Sequence, residues 1–374
     1  MLEPGDGGRV TTRAFAIAAI ALAGFAFSLT PPVAWLDNKL LDLQWRLLAK
    51  FAPRAVPDDI IIVGIDPATV NAIPVPPGLW HEPLGKLLQR IAAAKPRAIG
   101  LDYPLPERSY DELHAGLDRA LMLGLAAAAQ NGPFVATLNI DPRTRSARRI
   151  HAPFLALLGD ARLGIGLAAR DDDGVTRRYS LLIPTEDGGY PTLAGRLCRE
   201  LAAKCNEGLI DFSLAPPLRY VSMYDVLRAE DLDVLKRLFR DRIVFIGETQ
   251  PFSDRIEVPV NVAGWEPSRG DSPGVAVHAQ TLRTALMGHA AQEALRPLTA
   301  LLVLLAAAPF LAHRPALGLA VAAVGALALL AGAMAALRGG LYVPVGAPLV
   351  TLGVAWAALA APRRRGSRNI QHSD

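Results

Sequence analysis

The stretch Asp59-Ile60-Ile61-Ile62-Val63-Gly64-Ile65-Asp66 decides the class of fold. A strand with one wet face alternates apolar and polar residues. This one is apolar and mostly β-branched throughout, so both of its faces are covered. It stops at Asp66-Pro67, a turn signal. A strand buried on both faces needs helices to cover it, and the sequence that follows supplies them. Residues 84–94 carry apolar side chains at 84, 87, 88 and 91, a helical period. Ala98-Ile99-Gly100-Leu101 is a second buried strand, ending at Asp102. Residues 113–129 read as a helix and 134–138 as a third strand. Farther on, 192–204, 223–227 and 232–239 read as helices, 243–247 as another buried strand, and 274–286 as a last helix. Strands alternating with helices predict an α/β domain with a largely parallel sheet layered with helices. Neither an internal repeat nor a low-complexity linker interrupts it.

On either side of this segment the composition changes. The chain has 374 residues, 51% of them apolar, with a mean hydropathy of +0.26. Four uncharged apolar runs stand out at 14–36, 298–312, 316–337 and 341–361. Crossing ~30 Å of hydrocarbon takes about 20 apolar residues as a helix. The third and fourth runs meet that length. The second does so when extended by Ala294, Leu295 and Pro297, with Arg296 reaching back to the headgroups. The first, interrupted by Pro31 and Pro32, is read as an uncleaved anchor. The competing reading is a signal peptide, with Arg9 and Arg13 before it and Gly24-Phe25-Ala26 as a weak cleavage site. The expected organisation is a cytoplasmic N-terminus (1–13), a transmembrane helix (14–36), a periplasmic domain (37–296), a three-helix transmembrane segment (297–361) and a basic cytoplasmic tail (362–374). About four transmembrane helices in a bacterial inner membrane follow.

Charge supports that orientation. Arg363, Arg364, Arg365 and Arg368 cluster after the last run and point to the cytoplasm. Counting back, Arg314 falls inside and Arg338 outside, the latter against the rule. The overall net charge of +4 resides in the tail, since 37–296 holds 31 basic and 32 acidic residues. A folded part with no basic surplus argues against nucleic acid as a partner. Two cysteines exclude a disulfide scaffold. If Cys198 and Cys205 share one helix, they lie about 10.5 Å apart along it, too far to bridge. If the helix ends by Lys204, a disulfide is open to them in an oxidising compartment.

Four residues are candidate ligand-binding groups. Asp66 and Asp102 each follow a predicted parallel strand, the edge where open α/β sheets bind ligands. The alternative is that each accepts backbone N–H bonds at a turn or helix start. Asp254 lies seven residues past Gly247, and His278 opens the last helix of the segment. A carboxylate beside that imidazole would orient and charge it, as a pH-sensitive latch or part of a pocket; the alternative is a hydrogen-bonded loop anchor. Asp171-Asp172-Asp173-Gly174 begins like a calcium loop, but position 12 is Leu182 instead of the closing Glu. An Asp-Gly turn with solvated carboxylates, partnered locally by Arg177 and Arg178, accounts for it better. The sequence has no G-x-S-x-G, H-E-x-x-H, Walker A or helix-opening G-x-G-x-x-G. No catalytic residue, metal or cofactor is therefore assigned.

The order of these pieces resembles the type 2 CHASE domain, a bacterial extracellular sensory domain. An amphipathic entry at 36–46 comes first, then 59–66, then Lys95-Pro96-Arg97-Ala98-Ile99-Gly100-Leu101-Asp102. Asp172-Asp173-Gly174-Val175-Thr176-Arg177-Arg178 resembles the family's D-x-D-G-x-x-R-R element. Residues 242–247, 254–259 and 273–279 resemble its late strand and terminal signature. Around Trp80 the chain departs, with Pro74, Pro76, Pro77 and His81 where a tryptophan-and-basic pattern is expected. The resemblance implies an α/β sensor fold that feeds a kinase or cyclase domain. Only 362–374 follow the last predicted span, too few for a catalytic domain. The expected output is therefore a separate signalling or envelope protein.

The expected function is that of a membrane-anchored periplasmic sensor, not an enzyme, with small-residue helices that would permit a homo-oligomer. One alternative is a metal-assisted hydrolase using Asp66, Asp102, Asp254 and His278. That reading requires those four groups to converge within about 3 Å of one reacting atom. The other is an envelope scaffold or assembly factor.

Overall fold

The computed structural model describes residues 6–361 except 142, 145, 187, 268, 269 and 313, with side chains from Phe15 onward. The arginines at 363–368 lie outside the described residues. The chain divides into two compact units, one of residues up to Leu41 and from Gln292 onward, the other Asp42–Ala291. In chain order come helices α1 (Asp6–Ser28) and α2 (Pro31–Phe51), strand β1 (Ile60–Ile65), helix α3 (His81–Ala93), strand β2 (Ala98–Asp102), helix α4 (Leu117–Gln130), and strands β3 (Phe134–Leu138) and β4 (Leu163–Ile165). Helix α5 (Leu193–Glu200), strand β5 (Arg219–Ser222), helices α6 (Met223–Arg228) and α7 (Leu232–Phe239) and strand β6 (Ile243–Glu248) follow. The last are helices α8 (Gly274–Met287), α9 (Arg296–Leu305), α10 (Pro315–Arg338) and α11 (Gly346–Ala360).

Within Asp42–Ala291 the six strands form one sheet in the order β5-β1-β6-β2-β3-β4, with every neighbouring pair parallel. The predicted α/β architecture is present, and the unbroken apolar strands explain it. One face of the sheet presents Ile61, Val63, Ile99, Leu101, Val244 and Ile246 to a core completed by Leu84, Leu87, Leu88 and Ile91 of α3 and Leu121 and Leu125 of α4. The 84-87-88-91 period is thus the buried stripe of α3. Each such side chain taken from water contributes about 1.5–3 kcal/mol. The other face is covered by α5 and α8, which come close because the strands carry glycine there. A Cβ on Gly100 would sit 3.1 Å from Leu197, and one on Gly247 would sit 2.7 Å from Val275. Helices α3 and α4 touch backbone to backbone, for a Cβ on Gly85 would lie 2.2 Å from the Ala120 carbonyl oxygen.

Several expected boundaries move. The helix expected over 113–129 starts at Leu117, after Gly116 with φ +91°. The helix expected over 192–204 ends at Glu200. Beyond it Ala202 takes φ +50° and turns the chain, which brings Cys198 and Cys205 to a Cα–Cα distance of 6.3 Å and into a disulfide. Strands β4 and β5 are short, and neither was expected from the sequence.

The Asp171–Gly174 turn is present, with the Gly174 N–H donating to the Asp171 carbonyl. Its carboxylates, however, are not simply solvated: they hold a buried arginine. Arg177 is 0% exposed. Its guanidinium donates to both oxygens of Asp42 (2.6 and 2.9 Å) and both of Asp173 (2.8 and 2.9 Å), and to Asp171 (3.0 Å). Arg178 donates to Asp171 as well (2.7 Å). Two bidentate forks on one cation fix the D-x-D-G-x-x-R-R element against α2.

In the other unit, among the described residues, α10 alone is long and apolar enough to cross a membrane. Residues Phe15–Ser28 and Pro31–Phe51 pass that test only together and bend by 77° where Pro31 and Pro32 break the run. The run at 298–312 forms α9 and then a 3-10 turn at Ala308–Leu311, around Pro309. In the run at 341–361, Leu341–Tyr342 pairs as a strand with Gln292–Glu293, and the helix starts only after Pro344. Its 15 residues reach about 22 Å. Of the four expected spans, one helix among the described residues meets that length and composition, or two with the bent pair counted as one. The Gly346 N–H at the start of α11 donates to Asp37 (2.7 Å).

Candidate functional site

The carboxyl edge of the sheet carries an acidic residue at the end of each central strand. Parallel pairing forces this, because Gly247 of β6 lies in register with Gly64 of β1 and Asp102 of β2. Asp66, Glu248 and Asp102 therefore line up across three neighbouring strands. Glu248 was not singled out from the sequence. It follows Gly247 as the strand's last residue, and that position was the available signal.

Asp102, Asp254 and His278 come together. His278 Nε2 is 3.9 Å from Asp102 Oδ2, with both side chains under a tenth exposed. That distance is beyond a hydrogen bond, and Asp102 Oδ2 has no other hydrogen-bond partner. Asp254 lies in the loop after β6, in the left-handed region at φ +49°, a conformation costly for a residue with a side chain. Its carbonyl accepts from the Gly274 N–H (2.8 Å). Its carboxylate occupies the space a Cβ on Gly274 would take, 2.2 Å from Asp254 Oδ2. A residue other than glycine at the start of α8 would displace the carboxylate.

Burial, and then the charge of Glu248, push the Asp102 carboxyl up to about 7. Burial and the neighbouring Asp102 push Asp254 up to about 6, against the pull of His278 and Arg170. Burial holds the His278 imidazole below its ordinary value, opposed by Asp254 and the Gly166 carbonyl. Tyr103, next in sequence, is pushed up to about 12 by burial and Glu248. Asp102, Asp254 and His278 are near enough to one another that the charge of each bears on the others. Below His278 an adjoining cavity of about 200 Å³ is lined by Leu167, Tyr179, Ile183 and Thr281.

Asp66 belongs elsewhere. Its Oδ1 accepts from the Thr69 N–H (2.8 Å), the Thr69 hydroxyl (2.7 Å) and the Ser222 hydroxyl (3.0 Å), and its Oδ2 accepts from Tyr220 (2.7 Å). It caps the short helix Pro67–Ala72, the structural alternative weighed for it. Burial raises its pKa, but those hydrogen bonds outweigh it and hold the carboxyl below its ordinary value. Tyr220 stacks on Trp265 (4.6 Å between centroids) beside a cavity of about 230 Å³ that Asp66 also lines. Because β6 separates β1 from β2, Asp66 stands about 10 Å from the Asp102 cluster. The four candidates do not converge on one point. Among the described residues, no group of three or more His, Cys, Asp or Glu could hold a metal ion.

Comparison with curated proteins finds no match, and comparison with solved structures finds none. A family model does match: that of the CHASE2 domain, over residues 16–324. This range takes in the whole sheet, the Arg177 clamp and the cluster on α8. The chain belongs to the CHASE2 family of extracellular sensory domains.

Proposed function

We propose that this chain is a membrane-anchored bacterial sensor. Its body, Asp42–Ala291, faces the periplasm, and it passes a signal to a separate signalling protein. The observation that carries the reading is the ionisable cluster at the start of α8, in which the buried Asp102 and His278 meet the more exposed Glu248 and Asp254. A change of charge or ligand there alters how well α8 is held. From Met287 the chain runs on into α9 and then α10, which is long and apolar enough to cross a membrane. A signal that favours one seating of α8 biases the population of two arrangements. The Cys198–Cys205 disulfide favours an oxidising compartment for the body. The arginines at 363–368 favour a cytoplasmic side for the residues after α11.

Two measurements test it. Protease added to intact spheroplasts should degrade the body, and a photo-crosslinker placed within 362–374 should capture a cytoplasmic or membrane partner. A body that survives the protease lies on the wrong side, and the sensing role goes with it. If no partner is captured, the route of the signal is lost.

A further inference from the structure

Beyond the ionisable cluster, the cleft around Trp80 has the build of a ligand site. It lies past the carboxyl end of β2, where Tyr103 follows Asp102, and has a volume of about 650 Å³. That is within the ~300–1,000 Å³ of small-molecule sites. Its walls are Trp80, His81 and Leu84 at the start of α3 and Tyr103, Arg108 and Tyr110 of the facing loop. The polar ends of two aromatic residues are already occupied: the Trp80 indole N–H donates to the Val75 carbonyl (2.8 Å) and the Tyr103 hydroxyl to the Pro77 carbonyl (2.8 Å). Trp80 itself is only 2% exposed, so what an occupant meets is chiefly the partly exposed rings of Tyr103 and Tyr110.

The polar features of the cleft favour an anion. Glu107 is neutralised by Arg148 (3.2 Å), while Arg108 has no ion-pair or hydrogen-bond partner among the described residues. Trp80 precedes α3 without offering its first turn a side-chain acceptor, but that turn carries Glu82 and Pro83, which has no N–H, so the positive charge facing an occupant is that of Arg108. Buried His81 has no hydrogen bond on Nε2. Asp118 Oδ1 is 3.7 Å away from it, beyond bonding distance. Asp118 instead accepts from the Ser109 hydroxyl (2.6 Å) and the Tyr110 N–H (3.2 Å). It thereby holds the loop in place and leaves the cleft to its occupant.

We infer that this cleft binds a small aromatic anion, its charged group held by Arg108 and its ring lying against Tyr103 and Tyr110. The inference rests on the sensory reading for its purpose, but its test does not depend on membrane topology or on a partner. The full chain, purified in dodecyl maltoside, is titrated with benzoate, phenyl phosphate and benzyl alcohol. Tryptophan fluorescence and the unfolding temperature are followed. Both anions, or one of them, should quench saturably and raise the unfolding temperature, with the neutral alcohol inert at the same concentration. Which anion binds more tightly distinguishes a carboxylate from a phosphate ligand. Trp80→Phe should remove the optical change and keep the thermal shift. Arg108→Ala, on an exposed side chain, should weaken binding about tenfold or more, with partial recovery in Arg108→Lys. The inference is overturned if neither anion binds up to about 10 mM, if benzyl alcohol binds as well as benzoate, or if Arg108→Ala binds as the unaltered chain does.

Discussion

Replacing Asp102 with Asn should flatten the pH dependence of stability between pH 5 and 8. The Asp102 side chain is 9% exposed, and its carboxyl is pushed from 3.8 up to about 7. A carboxyl whose folded pKa is raised is held neutral by the fold. Below the unfolded value both states carry the proton and the site costs nothing. As pH rises toward the folded value the unfolded chain ionises alone, and stability falls. Above the folded value both states are ionised and the loss is complete. A carboxyl raised from 3.8 to about 7 corresponds to a loss on the order of 4 kcal/mol, most of it between pH 5 and 8. In a unit of this size that is about 8–16 °C of unfolding temperature. Other groups tilt the baseline. Asp254 is also raised, partly by Asp102 itself, whereas His278 is lowered and so costs stability toward acid pH. Glu248 and Arg170 face the same set. The informative quantity is therefore the difference between the unaltered chain and Asp102→Asn, measured by urea unfolding at pH 5, 6, 7 and 8. The variant should gain on the parent as pH rises. Equal slopes for the two proteins would mean that Asp102 is ionised in the fold, and the buried-proton argument would fail.

Three further outcomes follow from packing and charge. Arg177→Met takes the shared guanidinium away from Asp42, Asp171 and Asp173, while Arg178 stays on Asp171, and should cost about 3–5 kcal/mol in chemical denaturation; a loss under 1 kcal/mol would contradict the clamp. Gly85→Ala drives a methyl into the Ala120 carbonyl and should cost about 1–3 kcal/mol, whereas Gly78→Ala, with nothing within 4 Å, serves as the silent control in the same melt. Cys198→Ser with Cys205→Ser opens a short loop and should lower stability by about 2.5 kcal/mol, with an unmodified chain treated with reductant matching the double variant.

The sheet was legible because strands buried on both faces leave no polar residue to obscure them. Residues 60–65, 98–101, 134–138 and 243–247 all read this way. Strands β4 and β5 were not, because Leu163–Ile165 is only three residues and Arg219–Ser222 mixes polar and apolar side chains on a sheet edge. Helix ends failed where a backbone conformation intervened: Gly116 before α4 and Ala202 after α5 both leave the right-handed region. The apolar runs were read by composition alone, and proline at 31, 309 and 344 cuts helices that composition would continue. At the site, strand-final position was enough to find Asp102 but could not separate it from Asp66. The difference lies in what surrounds them. Thr69, Ser222 and Tyr220 satisfy one carboxylate, while the other meets Glu248, Asp254 and His278, all distant in sequence. The partners of Arg177 show the same limit, since Asp171 and Asp173 are local but Asp42 is 135 residues away.

The attachment of α2 has a practical corollary for anyone wishing to excise the sensory body as a soluble fragment. The natural cut, after the helix ends at Phe51, would discard Asp42 and with it one fork of the Arg177 guanidinium. It would also remove Trp45, which packs edge-on against Phe212 at 6.1 Å and is almost wholly enclosed. A fragment begun there starts life with a cation held from one side only and an empty indole-sized hole. One begun at or before Asp37 retains both, at the expense of carrying Leu43 and Phe51 outward into solvent.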